Sequence, residues 1–154
     1  IDHILGTGLC SEAFGIGVTG SLEDSLAMLI PRMQAVMFGM EYDNKIGRVE
    51  HDVKEGDVLV CGGHRIEVID CPGHSFRGLC YYLPDDKIVF TGDVLFYGSI
   101  GRSDFGAKLG CDGERLVEGI KTKLMTLPDD VTVFPGHGPK TSIGLEKQHN
   151  PFVR

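Results

Sequence analysis

The stretch Thr91-Gly92-Asp93 follows a run of β-type residues at 87–90, so its carboxylate lies where a strand is expected to end. Three other segments also place a metal-type ligand beside glycine or at a strand end: Asp2-His3, Pro72-Gly73-His74-Ser75 and Phe134-Pro135-Gly136-His137-Gly138. Glycine lets the backbone turn sharply enough to aim a side chain inward, as a metal site requires. A Pro-Gly pair, or an Asp after Gly, is by itself an ordinary turn signal. The order and spacing of all four segments together indicate a metal site.

Short β-type runs and amphipathic stretches surround these segments. They predict strands at residues 57–60, 64–69, 79–83, 87–90 and 131–134, and helices at 4–14, 21–30, 113–126 and from 141 towards 150. Ser21 is expected to cap the second helix and Pro31 to stop it, while Thr141 is expected to cap the last one. Since no internal repeat or linker is visible, we expect one domain over residues 1–154.

The charge and hydropathy of the chain limit its partners. The formal net charge is -7 and no cluster of Lys and Arg is present, which works against binding to nucleic acid. No apolar run approaches the ~20 residues that span a bilayer, and no charged-then-apolar leader precedes the first motif. We therefore expect a soluble, cytoplasmic protein with no membrane partner.

The remaining cysteine and histidine residues favour ordinary structural roles. The chain has 5 cysteines, an odd number without a CxxC pair, so neither a disulfide framework nor a zinc knuckle is indicated. Free, mostly buried thiols are expected, because unpaired Cys behaves as a small hydrophobic residue. Outside the four segments, His51, His64 and His149 are interpreted as surface or core residues rather than ligands.

The ordered set of segments resembles the metallo-β-lactamase superfamily, whose pattern is an HxHxDH motif, a single His, an Asp and a final His, all at strand ends. Asp2 and His3 resemble the last two letters of HxHxDH, and His74 resembles the single His. Asp93 resembles the bridging carboxylate and His137 the last ligand. The resemblance covers the length of the chain, and it implies an α/β fold, the αββα four-layer sandwich.

A particular branch of that superfamily is indicated by longer matches. Residues 92–104, from Gly92 through Arg102 to Asp104, and residues 135–152, which end in Asn150-Pro151-Phe152, look like the single-domain relatives of glyoxalase II. This resemblance implies a metal-dependent hydrolase that uses a metal-bound hydroxide, with small thioesters of the S-hydroxyacylglutathione type as substrates. Glyoxalase II itself carries a C-terminal helical domain that helps to hold glutathione, and no such domain is expected here, because the sequence stops three residues after Pro151.

The same resemblance assigns roles to individual residues. The family site holds two zinc ions, although His and Asp donors also accept Fe or Mn. Asp93 would bridge both ions, and Asp2 would orient the attacking water as well as ligate, so these two are the candidate catalytic residues. The polar residues near the ligand loops, which are candidates for substrate contact, are Tyr97, Arg102 and Lys140.

The resemblance begins in the middle of HxHxDH, so the two preceding histidines and the opening strands of the family fold are expected to be missing from this chain. In the family that pair and His74 hold one metal, whereas Asp2, His3 and His137 hold the second. The chain as given is therefore expected to hold one metal ion or none. Two alternatives stay open. One is a mono-iron persulfide dioxygenase, which the Gly101-Arg102-Ser103-Asp104 region also resembles, and the other is a catalytically inactive truncated chain.

Overall fold

A computed structural model describes residues 2–25, 35–36, 39 and 46–154. The chain divides into two compact units, Ile1–Val53 and Lys54–Arg154. Across the described ranges, no helix is both long enough and apolar enough to cross a bilayer.

The described residues of the first unit include two helices, α1 and α2, and a pair of strands. Helix α1, Thr7–Phe14, ends at Gly15, which adopts a left-handed φ of 63°. It begins later than the predicted residue 4, because residues 2–6 form turns and the Thr7 hydroxyl donates a hydrogen bond to Ile4 O at 2.7 Å. Strand β1, Val18–Gly20, pairs in parallel with β2, Val49–Asp52. This pair was not predicted, since β2 is a mostly polar and exposed VEHD segment without an alternating pattern.

Helix α2, Leu22–Ser25, confirms the start of the predicted helix at 21–30. The Ser21 hydroxyl oxygen accepts a hydrogen bond from Asp24 N at 3.0 Å, as an N-cap does. The rest of that prediction, including its stop at Pro31, lies outside the described residues.

The second unit is built on a mixed six-stranded sheet. Its strands are β3 (Val58–Cys61), β4 (His64–Asp70), β5 (Leu79–Leu83), β6 (Ile88–Gly92), β9 (Thr132–Pro135) and β10 (Thr141–Ser142), in the order β10-β9-β6-β5-β4-β3. All neighbours are antiparallel except β6 and β9, which are parallel. A small separate hairpin joins β7 (Leu95–Phe96) to β8 (Ser99–Ile100). The strands predicted between residues 57 and 134 are thereby confirmed to within about two residues at each end.

Two helices accompany this sheet. Helix α3, Gly113–Thr122, has Asp112 as its N-cap and is followed by a 3-10 turn at Leu124–Thr126, where the sequence predicted one continuous helix. Helix α4, Ile143–His149, is capped by Ser142, whose hydroxyl oxygen accepts from Leu145 N at 3.2 Å. The prediction that Thr141 caps this helix is therefore wrong, because Thr141 belongs to β10 and its hydroxyl instead donates to Glu146.

The hydrophobic core of the second unit combines side chains from the sheet and from both helices. Its buried members include Val68, Val89, Val133, Leu116, Ile120, Leu124 and Ile143. The cysteines are all free, and Cys71, Cys80 and Cys111 are buried, which confirms the expectation of mostly buried thiols. Packed β-strands with covering helices confirm the α/β class, and they fix the strand ends from which the candidate ligands project.

Candidate metal centre

Three of the predicted ligands lie in loops that follow strands of the second unit. Asp93 comes directly after β6, His137 follows β9 by two residues, and His74 follows β4 by four. Since β6 and β9 are parallel neighbours, their carboxyl ends meet at one edge of the sheet. A hydrogen bond from Gly136 N to Gly92 O, 2.8 Å long, joins the two loops just beyond that edge. Residues that are about forty positions apart in the sequence are thereby brought side by side.

The carboxylate of Asp93 lies between the two imidazole rings. Its Oδ2 is 3.6 Å from His74 Nε2, and its Oδ1 is 3.6 Å from His137 Nε2. These distances are too long for good hydrogen bonds. Two donors on one tetrahedral ion, each at about 2.0–2.2 Å from it, would be about 3.4 Å apart. The donor types and the spacing within each pair therefore fit a divalent cation held between Asp93 and the histidine that faces it.

The proton on His74 is assigned by its backbone contact. Its Nδ1 lies 2.8 Å from Arg102 O, and because a carbonyl oxygen only accepts, Nδ1 must donate. In the neutral ring this leaves the lone pair on Nε2, the atom that faces Asp93. Histidine ligands in metal sites are commonly oriented by such an outer hydrogen bond.

Two glycines allow the close backbone approaches on which these loops depend. A Cβ at Gly101 would lie 1.8 Å from Asp93 O and 3.3 Å from the Cβ of His74. At Gly73, φ is 127° and a Cβ would lie 2.3 Å from Asp112 O, so no other residue fits against the start of α3. Steric constraint therefore explains why Gly73 and Gly101 have no side chain.

Aromatic rings flank both histidines. Phe96 meets the His137 ring edge-on, with centroids 6.1 Å apart, and Phe105 meets the His74 ring in the same way at 6.2 Å. Neither phenylalanine was singled out from the sequence, and no motif spacing could have done so. The sequence indicates them only by position, because Phe96 lies three residues after Asp93 and Phe105 lies three residues after Arg102.

The predicted substrate contacts have different surroundings. Tyr97 is exposed and borders a cavity of about 210 Å³, together with Gly98, Leu145, Glu146 and His149. Lys140 is exposed in the loop between β9 and β10. Arg102 forms two hydrogen bonds with the Asp104 carboxylate, of 2.9 and 2.8 Å, and its guanidinium lies 4.6 Å from the Phe105 ring centroid. Hydrogen bonding between the two side chains raises the pKa of Arg102 and lowers the pKa of Asp104.

Asp2 and His3 belong to the first unit, where both are described in the turns before α1. Their side chains are exposed, and His3 Nε2 is 3.7 Å from Asp2 Oδ2. Their role as metal ligands stays a prediction from the motif. Of the histidines interpreted as structural, His64, the first residue of β4, pairs with Asp86 through Nδ1 at 2.7 Å, at the opposite end of that strand from His74.

Comparison with known proteins identifies the family. The model of the metallo-beta-lactamase superfamily matches residues 1–137. A hydroxyacylglutathione hydrolase of Haemophilus influenzae is 36% identical to this chain over 155 residues, which cover 99% of the chain and 71% of that protein.

Two solved structures are similar to this chain as well. A protein crystallised in a di-iron-bound form has a TM-score of 0.84 at 32% identity, over 98% of this chain and 72% of its own. A B3 metallo-beta-lactamase has a TM-score of 0.80 at 31% identity, over 95% of this chain and 69% of its own. The chain belongs to the metallo-beta-lactamase superfamily and is one of its metal-dependent hydrolases.

Proposed function

We propose that the chain provides the catalytic site of a thioesterase that hydrolyses small thioesters of the S-hydroxyacylglutathione type. The observation that carries the proposal is the Asp93 carboxylate, which presents one oxygen to His74 Nε2 and the other to His137 Nε2 at 3.6 Å each. The similarity to a hydroxyacylglutathione hydrolase supports the thioester as substrate class. Fold alone does not specify a substrate, so the choice depends on the residues around the ligands.

The metal proposed for this site is zinc, with His74, Asp93 and His137 as ligands. Asp2 and His3 are proposed as further ligands from the motif pattern alone. His and Asp donors suit Zn²⁺ but also bind Fe or Mn, and one similar protein was crystallised with two irons. A bound divalent ion would lower the pKa of a coordinated water and polarise the substrate carbonyl.

The residues of the chain itself orient and enclose the reacting groups. Arg102 O fixes the His74 ring through Nδ1, so that Nε2 stays directed towards Asp93. The rings of Phe96 and Phe105 meet the two histidine rings edge-on and so contact one side of each. Asp93 is acceptor-only when ionised, which suits a carboxylate shared between cations.

The proposed substrate contacts match the charge of a glutathione-type thioester. Its carboxylates would meet the positive side chains of Arg102 and Lys140, and the Tyr97 hydroxyl can donate a hydrogen bond. Asp104 holds the guanidinium of Arg102 in one orientation over Phe105. A planar, pre-oriented guanidinium recognises a carboxylate better than a freely rotating one.

The test is hydrolysis of S-lactoylglutathione by the full chain before chelation, after chelation and after return of Zn²⁺. We expect turnover that disappears with the chelator and returns with the metal. The His137→Ala variant should be inactive, whereas His64→Ala, which removes an exposed histidine elsewhere in the same unit, should retain full activity. A protein that binds metal yet cleaves only a β-lactam, or consumes oxygen with glutathione persulfide, contradicts the thioester assignment.

A further inference from the structure

Glu146 is a buried carboxylate that the proposed reaction does not use. It lies on α4, and only 1% of its surface is exposed. Burying an ionisable side chain costs free energy unless hydrogen bonds satisfy it. An ionisable side chain in the core therefore requires compensating hydrogen bonds, and the partners of Glu146 provide them.

Three hydrogen bonds converge on the carboxylate of Glu146. The Thr141 hydroxyl donates to Oε1 at 2.6 Å, while Gly98 N and Asn150 Nδ2 donate to Oε2 at 2.9 and 2.8 Å. Asn150 Nδ2 also donates to Ser99 O at 3.0 Å. The network therefore holds both a backbone donor and a backbone acceptor at the turn between β7 and β8.

The hairpin of β7 and β8 is continuous with the candidate metal centre. It starts two residues after Asp93, and the Thr91 hydroxyl donates to Leu95 O at 2.8 Å inside the core. Gly101 N, just past the hairpin, donates to Val94 O at 3.2 Å and closes it at its base. The loop that carries Asp93 is thus tied to the hairpin on both sides.

The two histidines also contact this short segment. The Phe96 ring of β7 packs edge-on against His137, and Arg102 O, two residues after β8, accepts the hydrogen bond from His74 Nδ1. The hairpin thus contacts His137 directly, while the chain enters it from Asp93 and leaves it towards Arg102, whose backbone oxygen orients His74. A displacement of its turn would change the orientation of both rings at once.

We propose that Glu146 is a positioning residue for the metal centre: its buried carboxylate anchors the turn of the β7–β8 hairpin, and the hairpin in turn orients His74, Asp93 and His137. The inference rests on the proposed function only in taking these three residues as metal ligands. Outer partners of metal ligands typically change metal affinity about 10–100-fold when they are lost. Glu146 does not bond to a candidate ligand itself; it acts through the backbone of Gly98 and the side chain of Asn150.

The chemistry of the network suggests a pair of variants with opposite outcomes. In Glu146→Gln the amide oxygen can still accept from Gly98 N and Asn150 Nδ2, and the amide NH₂ can donate to the Thr141 hydroxyl once that group rotates. In Glu146→Leu the volume is similar, but all three donors lose their acceptor. A control for lost stability alone is Ile120→Ala, because Ile120 is fully buried on α3 and belongs to the core rather than to this network.

The experiment measures Co²⁺ binding to the full chain by competition with a chromophoric chelator, together with the visible spectrum of the Co²⁺ form and urea unfolding of the metal-free form. Glu146→Leu should bind Co²⁺ at least ~10-fold more weakly and show an altered spectrum. Glu146→Gln should remain close to the original chain in both. Ile120→Ala should unfold at lower urea while it retains the affinity and the spectrum.

Several results would overturn the inference. One is a Glu146→Leu protein with unchanged Co²⁺ affinity and spectrum. Another is an Ile120→Ala protein whose loss of Co²⁺ affinity, relative to its loss of stability, is as large as that of Glu146→Leu. If Glu146→Leu does not fold, Asn150→Ala decides in the same assay, since Asn150 bonds both Glu146 and Ser99 O. An original chain that binds no Co²⁺ overturns the metal centre and this inference with it. Binding of Co²⁺ without thioester turnover overturns the proposed substrate only.

Discussion

The Nδ1 atom of His74 lies 2.8 Å from the backbone oxygen of Arg102, 28 residues further along the chain. This hydrogen bond fixes the ring that faces Asp93, and it does so through a main-chain atom, so the identity of residue 102 does not determine it. Arg102 thus has two separable parts, a carbonyl that orients a candidate ligand and an exposed side chain, paired with Asp104, that is proposed to contact a substrate. Substitutions of the Arg102 side chain and of the ligands should therefore give different kinetic results.

Replacement of Asp93 by Asn should remove most of the bound metal. The substitution retains the shape of the side chain but removes the negative charge that lies between His74 and His137. We expect metal affinity to fall by more than the ~10–100-fold typical of losing an outer hydrogen-bond partner, and turnover to disappear. Metal analysis by inductively coupled plasma checks this, with Asp86→Asn as the control, because Asp86 lies in the turn before β6, at the opposite end of that strand from Asp93. Retention of metal and near-normal kcat by Asp93→Asn would refute its proposed role as a ligand.

Removal of the Phe105 ring should impair substrate binding more than turnover. The ring supports the Arg102 guanidinium at 4.6 Å and packs edge-on against His74. An exposed cation–π contact contributes about 0.5–1 kcal/mol, which corresponds to a rise of about two- to fivefold in KM for an anionic thioester. Steady-state kinetics of Phe105→Ala would show this, and Phe14→Ala, which removes an exposed ring of α1, should leave KM unchanged. An unaltered KM in Phe105→Ala would mean that the contact of Phe105 with Arg102 does not contribute to substrate binding.

Local sequence signals determined most of the second unit's strands but not the ends of its helices. Alternating burial along β5 matches the apolar pattern from which residues 79–83 were predicted as a strand. The choice between Thr141 and Ser142 as the cap of α4 could not be made locally, because both carry a hydroxyl. The choice follows from Glu146, which accepts the Thr141 hydroxyl inside the core and leaves Ser142 for the helix.

The candidate ligands were predictable for a related reason. His74, Asp93 and His137 each stand beside glycine after a strand, and strand order then brings them to one edge of the sheet. The contacts of Phe105 and of Arg102 O with His74 depend on the path of the loop that follows β8, for which the sequence contains no periodic signal. Glu146 was likewise not identified, because a single Glu in a helix pattern is usually solvent-exposed.

Substitution of Gly101 by Ala should disrupt the centre without replacing any candidate ligand. The added Cβ would lie 1.8 Å from the backbone oxygen of Asp93, which has to move to make room. Overpacking of this kind costs about 1–3 kcal/mol in free energy of unfolding, and here the displaced atom belongs to a candidate ligand. The free energy of unfolding, measured with urea, and the Co²⁺ affinity should both decrease. The control Gly6→Ala adds a Cβ in open space and should change neither, whereas unchanged metal binding in Gly101→Ala would mean that the close approach is not required.

Asp70 should make the stability of the second unit depend on pH in the opposite direction from an ordinary ion pair. Burial raises its pKa above the usual 3.8; Arg77, whose Nε is 3.3 Å from Oδ2, lowers it, as do Lys123 and Arg115, while Glu55 adds to the rise. A carboxyl group with a raised pKa in the folded state favours folding below its unfolded pKa, and this contribution is lost as the pH rises through the folded pKa.

The Asp70→Asn variant removes this titration while its side chain can still accept a hydrogen bond from Arg77. The free energy of unfolding of the variant, relative to the original chain, should therefore increase between pH 4 and pH 7, because only the original chain must bury a charge at the higher pH. Urea unfolding of both proteins at the two pH values measures the difference. Asp85→Asn, an exposed turn residue of the β5–β6 connection, should show no such change. A variant that instead becomes relatively less stable at pH 7 would show that the attraction of Arg77 and Lys123 outweighs the cost of burial at Asp70.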